Sequence, residues 1–226
     1  GNDGRLRLKH QLSVTAAEAP VRVAMEDESD WSEDAPQKPS PNSGLVDESK
    51  IAGHTVKSIV EELARLALVK DGQDGTSRTR LFSIASALFR RNPEAAREAL
   101  ELAKQGHRDK EFLVAAVGYA GTRQTANMLA DLLQGSGERR FMANVLGALG
   151  RTRDAEPSVV DKMASQFSAA GVGGIARLSM GSLAHNTQEA APKTSEHAVN
   201  TLVQDASSAT STLAQADALR GLGNAG

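Results

Sequence analysis

The chain has 226 residues, enough for one large domain or two small ones, and 40% of them are hydrophobic. Only 3% are aromatic and none is cysteine, so alanine, leucine and valine must do the packing, and disulfides and thiolate metal sites are excluded. A formal charge of −2 speaks against a dedicated nucleic-acid binder, and no apolar run reaches the ~18 residues a membrane span needs.

Residues 5–15 alternate: Leu6, Leu8, His10, Leu12 and Val14 fall on one face, Arg7, Lys9, Gln11, Ser13 and Thr15 on the other. Period two predicts a half-buried strand, and Val21, Val23 and Met25 predict a second, so 1–25 reads as a β-strand pair. Residues 26–48 change character. Glu26, Asp27, Glu28, Asp30, Glu33 and Asp34 crowd together, and Pro36, Pro39 and Pro41 follow. Like-charge repulsion and proline oppose compaction, so this segment reads as a disordered linker, with an acidic docking tail for a basic partner as the alternative. Trp31 stands alone inside it, either as an anchor of the linker to the helical surface or to a partner, or as a loose loop residue.

From Asp47 onward the pattern is helical. Val56, Ile59, Val60, Leu63, Leu66 and Ala67 form an amphipathic stripe that fails at KDGQDGT. Further helices are expected near 78–91, 93–105, 109–120, 123–134, 138–149, 156–170, 172–185, 195–206 and 209–222. Asn92-Pro93 marks a helix start, with Asn as cap and Pro at the first position. At Gly121-Thr122, glycine supplies the left-handed residue that ends one helix and threonine caps the next. Gly150 and Asp154–Pro157 are expected to do the same jobs later. Gly118 and Gly147, one turn before each stop, are read as points of close helix–helix approach.

A phrase recurs through this half: AAVGYAGTRQ at 115–124, NVLGALGRTR at 144–153, LSMGSLAHNT at 178–187 and ADALRGLGNAG at 216–226. Its centre returns after roughly 29, 34 and 39 residues, inside the range of stacked helical repeats. A repeat of this kind buries its apolar face only against its neighbours, so 47–226 reads as an α-solenoid whose product is surface. The repeat positions are Gly118, Gly121, Thr122, Gly147, Gly150, Gly181, Leu183, Gly221 and Gly223. Both ends of the sequence read as interrupted pattern, as in a piece of a longer protein.

Catalytic and cofactor patterns fail on context. GLGNAG at 221–226 fits G-x-G-x-x-G but lacks the strand before it and the helix after it, so Gly221 and Gly223 are read as helix-ending residues. Gly171, Gly173 and Gly174 precede no Lys-Ser or Lys-Thr and read as a turn. Ser182 lacks the flanking glycines of a nucleophile elbow. His10, His54, His107, His185 and His197 form no zinc spacing. No catalytic residue, cofactor or metal is assigned. Basic side chains gather at Arg90 and Arg91, with Arg78 and Arg80, and again at Arg139 and Arg140. They read either as a patch for an acidic partner or anionic headgroups, or as solvated helix ends.

The stretch 81–133 resembles the helical domain of the large lipid transfer proteins, the vitellogenin and microsomal triglyceride transfer protein group. Ala115, Val117, Ala120, Gly121, Thr122, Leu129 and Leu132 match that family's helix-pair phrase. LSMGSLAHN at 178–186 and ALRGLGNAG at 218–226 resemble two later phrases, in the same order. The resemblance implies a mainly α fold, a right-handed α-superhelix of antiparallel helix pairs in a horseshoe, preceded by a short β-hairpin. It also implies a non-catalytic module that cradles β-sheet lipid-binding elements, and a secreted or periplasmic setting. Lipid would be met through the parent assembly, and the direct partner would be the remaining domains or another protein. A free-standing HEAT-type scaffold without a lipid role is the rival reading.

Overall fold

The computed structural model describes residues 51–68, 74–135 and 138–226, all within the contact unit Asn42–Gly226. The expected strand pair at 1–25, the acidic linker at 26–48 and Trp31 lie outside the described residues.

The fold is mainly α. Ten α-helices form among the described residues: α1 Val56–Leu66, α2 Asp74–Arg91, α3 Pro93–Lys104, α4 Lys110–Ala120, α5 Arg123–Asp131, α6 Arg139–Leu149, α7 Pro157–Ala164, α8 Gly173–Thr187, α9 Pro192–Ser208 and α10 Thr212–Ala225. A 3₁₀ turn, Leu132–Gln134, extends α5. Their starts follow from local chemistry. Thr55 and Ser58 close a capping box on α1, and Thr122 and Thr125 close one on α5. The Asn92 side chain accepts from the amides of Glu94 and Ala95, with Pro93 at the first position of α3. Ser211 accepts from the Ala214 amide at 3.1 Å to open α10.

The helices pack in two rows. In one row α2 meets α4, α4 meets α6, α6 meets α8, and α8 meets α10. In the other α1 meets α3, α3 meets α5, α5 meets α7, and α7 meets α9. No substantial packing joins helices more than two places apart among the described residues. Even-row helices have neighbours on several sides, and their burial shows it: α4 buries Phe112, Leu113, Val114, Ala116, Val117, Gly118 and Ala120. α3 instead buries one alanine-rich stripe, Ala95, Ala96, Ala99, Leu100 and Ala103.

Glycine sets the spacing of the even row. A Cβ at Gly118 would stand 2.6 Å from the Ala148 carbonyl oxygen, closing α4 on α6. One at Gly150 would stand 3.0 Å from the Ser179 carbonyl oxygen, closing α6 on α8. One at Gly181 would run into the Gly221 carbonyl, closing α8 on α10.

Several expectations change. Gly121 is left-handed (φ 69°), but Gly150 is right-handed (φ −58°), so its lack of a side chain serves approach to α8, not chain reversal. Gly147 meets no neighbouring helix; the atom within reach of a Cβ there is Nη1 of Arg151, 3.5 Å away. Gly221 and Gly223 do not end a helix. Both lie inside α10, where packing of Gly221 on α8 offsets glycine's helix penalty of ~1 kcal/mol. The helix expected at 156–170 stops at Ala164. Residues 166–172 turn through successive short backbone hydrogen bonds, and Arg177 takes the Phe167 carbonyl. Glu156 makes no side-chain cap, leaving Pro157 to open α7.

Candidate interaction edge

The C-terminal ends of α2, α4 and α6 share one edge of the even row. A helix end leaves its last carbonyls without intrahelical donors, and here the neighbouring helix supplies them. Arg90, at the end of α2, donates from Nε to the Ala120 carbonyl (2.9 Å) and from Nη2 to the Tyr119 carbonyl (3.3 Å). It caps α4 and sets a cation at the negative end of its dipole. Partial burial of this guanidinium, with Arg153 and then Arg91 beside it, lowers its pKa. Further along, Asn186 Nδ2 donates to the Gly150 carbonyl (2.8 Å) and Gln188 Nε2 to the Ala225 carbonyl (2.9 Å). The edge is cationic at α2–α6 and neutral amide beyond.

The chain after α6 builds the rest of the cationic part. Thr152 is fully buried, which turns its neighbours Arg151 and Arg153 outward. Arg151 Nη1 donates to the Gly147 carbonyl (2.8 Å), and its guanidinium lies 5.8 Å from the centre of the Tyr119 ring. That ring is 51% exposed and stands edge-on to Phe82 at 5.1 Å. Phe82 makes a second edge contact with Phe112 at 5.4 Å, and Arg78 approaches Phe112 at 6.0 Å. Cβ and Cγ of Arg153 lie over the α4–α5 turn at Gly121. The nearby acid is committed elsewhere, since Asp154 Oδ1 accepts from Nε and Nη2 of Arg123 at 3.3 and 3.1 Å.

Of the arginines singled out in the sequence, the structure therefore separates two groups. Arg90 and Arg91 sit on this edge. Arg139 and Arg140 lie one helix length away, at the start of α6: Arg140 pairs with Glu111 at 2.8 Å, and Arg139 packs over Gly171, whose φ is +80°. Leu183 is core, and Thr122 caps α5. The sequence reading passed over Tyr119, Arg151 and Arg153. The signal was present as a buried-type threonine between two arginines directly after a helix stop.

Elsewhere several charged groups close on one another. Buried Arg177 forks onto Asp205 (Nε to Oδ2 2.7 Å, Nη2 to Oδ1 3.1 Å) and stacks on Phe167 at 4.7 Å, tying α8 to α9. His197 meets Asp161 at 2.7 Å, and the His107 ring accepts from the Asp109 amide. Among the described residues no group of three His, Cys, Asp or Glu side chains converges, and no helix is long and apolar enough to cross a membrane. Comparison with protein families, with curated proteins and with solved structures returns no match.

Proposed function

We propose that residues 47–226 form a HEAT-like α-solenoid, a right-handed superhelix of antiparallel pairs, and act as a non-catalytic interaction module. The observation that carries this reading is the reach of the polar contacts between helices. Lys110–Glu138, Arg90–Ala120, Lys162–Asp131, Asn186–Gly150 and Thr194–Ala155 span 28, 30, 31, 36 and 39 residues, each about one repeat. A stack held by nearest-neighbour contacts loses stability locally. Hydrogen exchange on the full chain tests this. With α8–α10 disrupted by Gly181→Ala, amides of α2–α4 should keep their protection. Equal loss of protection throughout would mark a single cooperative globule and overturn the solenoid.

The narrower reading takes its ligand from the resemblance: a module of a vitellogenin-like lipid transfer protein, with a hairpin at 1–25 and the solenoid cradling β-sheet lipid-binding elements. Its support is positional. The three family-like phrases fall across α4 and α5, within α8 and at the end of α10. Native mass spectrometry and solvent extraction of the purified protein test it. Retained lipid sustains it, and a lipid-free sample leaves the protein-binding scaffold.

A further inference from the structure

We infer that the edge formed by Arg90, Tyr119, Arg151 and Arg153 is a docking site for an acidic peptide segment of a partner protein. This deepens the interaction-module reading and rests on it, while the geometry of the edge supplies the partner's chemistry. Arg90, Arg151 and Arg153 have no acidic partner among the described residues, and Asp154 is held by Arg123. The excess positive charge is local, because the whole chain carries −2. At the centre stands Tyr119, exposed yet fixed between Phe82 and Arg151. An aromatic ring held in place among arginines has the composition of a binding hot spot and loses little freedom when covered.

The donor geometry selects the partner class. Nε and Nη2 of Arg90 are engaged by the end of α4, and Nη1 of Arg151 by Gly147. With their forks partly occupied, these side chains do not close around one phosphate. They offer a field and a few single donors spread along the edge. Carboxylates spaced along a chain match that spread, with an apolar side chain laid on Tyr119. A duplex would need a wider basic surface, and a bilayer more apolar anchors than one tyrosine.

Fluorescence anisotropy on the full chain tests the proposal, with a labelled decaglutamate peptide carrying one central phenylalanine. Inorganic phosphate and vesicles rich in phosphatidylserine serve as competing probes. Saturable peptide binding is expected, weakening with salt. The double variant R151E/R153E should weaken it about tenfold or more, and Tyr119→Ser should weaken it as well. R139E/R140E carries the same charge change at the far end of α6 and should leave affinity unchanged. Arg90 is left intact because it caps α4. If R151E/R153E melts early by circular dichroism, R153E alone replaces it, since that side chain makes no hydrogen bond among the described residues. Equal weakening by both double variants would show a general charge effect and overturn the site. So would binding of phosphate or vesicles in preference to the peptide. Neither result bears on the exchange pattern that tests the solenoid.

Discussion

The α4–α6 seam and the α8–α10 seam join successive helices of the same row, yet they are built from different contacts. Across α4–α6 the approach is closest where Gly118 meets Ala148, and charge guards the rest: Glu111 pairs with Arg140 and Lys110 with Glu138, while Arg151 stacks on Tyr119. Across α8–α10 backbone meets backbone. Gly181 faces the Gly221 carbonyl, and Gly221 lies under the Arg177 carbonyl, with 2.6 Å left for a Cβ. The Asp217 carboxylate sits against Gly174 in the first turn of α8, where a negative charge meets the positive helix end. Both seams meet main chain at a glycine, the Ala148 carbonyl at Gly118 in the first and the Gly221 carbonyl at Gly181 in the second. The first is flanked by side-chain pairs that can yield, whereas the second adds a further main-chain contact, Gly221 under the Arg177 carbonyl.

The largest expected effect breaks the second seam. Gly181→Ala places a methyl group on the Gly221 carbonyl, and α8 and α10 must part to admit it. A loss of about 3 kcal/mol in denaturant unfolding is expected, despite alanine's better helix propensity. Gly118→Ala meets Ala148 in the same way but in a seam flanked by adaptable side chains, and should cost roughly half as much. Equal losses at the two positions would show that the seams do not differ.

Next comes the ion pair behind α8. Asp205→Ala leaves the Arg177 guanidinium buried, with the Phe167 carbonyl and ring as its remaining partners. Breaking such a pair from one side costs about 3 kcal/mol, and the remaining contacts bring this toward about 2. Arg177→Met with Asp205→Leu removes both charges and should recover most of the loss. A double variant as unstable as the single one would show that the pair contributes more than charge compensation.

The even-row seams also show what the sequence could and could not say. Helix starts were legible at Asn92-Pro93 and Thr122 because the cap residues act on their own following amides. Apolar spacing placed α1, with Val56, Ile59 and Leu63 buried as the stripe implies. The glycines were visible, but their roles were not. Gly121 is defined by its own backbone, whereas Gly150, Gly181 and Gly221 are defined by the helix that lies against them. The same holds at the candidate edge. Arg90 and Arg140 are alike in sequence, and only packing sends one to the end of α4 and the other to Glu111.

Smaller effects sharpen the comparison in the stabilising direction. Asn144 lies on α6 between the two points of contact with α4, Glu111–Arg140 and Gly118–Ala148, and its Nδ2 is buried without a hydrogen-bond partner among the described residues. An unpaired buried amide costs about 1–3 kcal/mol, so Asn144→Leu should raise stability by about 1 kcal/mol. Gly223 faces open space in α10, and Gly223→Ala should add somewhat less than 1 kcal/mol. Its contrast with Gly181→Ala is a change of sign in the thermal melt.

The smallest expected effect concerns the charges that flank α4–α6. The hydrogen bond and charge of Lys110 hold the Glu138 carboxyl below its usual range, with Arg140 adding to this. A carboxylate whose folded pKa is depressed contributes stability above the unfolded value, about 4.3, and loses it as pH falls through the folded pKa. Because Glu138 is exposed, the measurable quantity is its own titration, followed by the side-chain carboxyl carbon shift in NMR. Lys110→Met should move that midpoint up toward the ordinary glutamate range, and about 1 M salt should move it the same way by screening. The stability contributed by the Arg177–Asp205 pair, shielded inside α8–α9, should not respond to the same salt. A Glu138 midpoint that ignores both Lys110→Met and salt would show that the α4–α6 flank is not held by exposed charge.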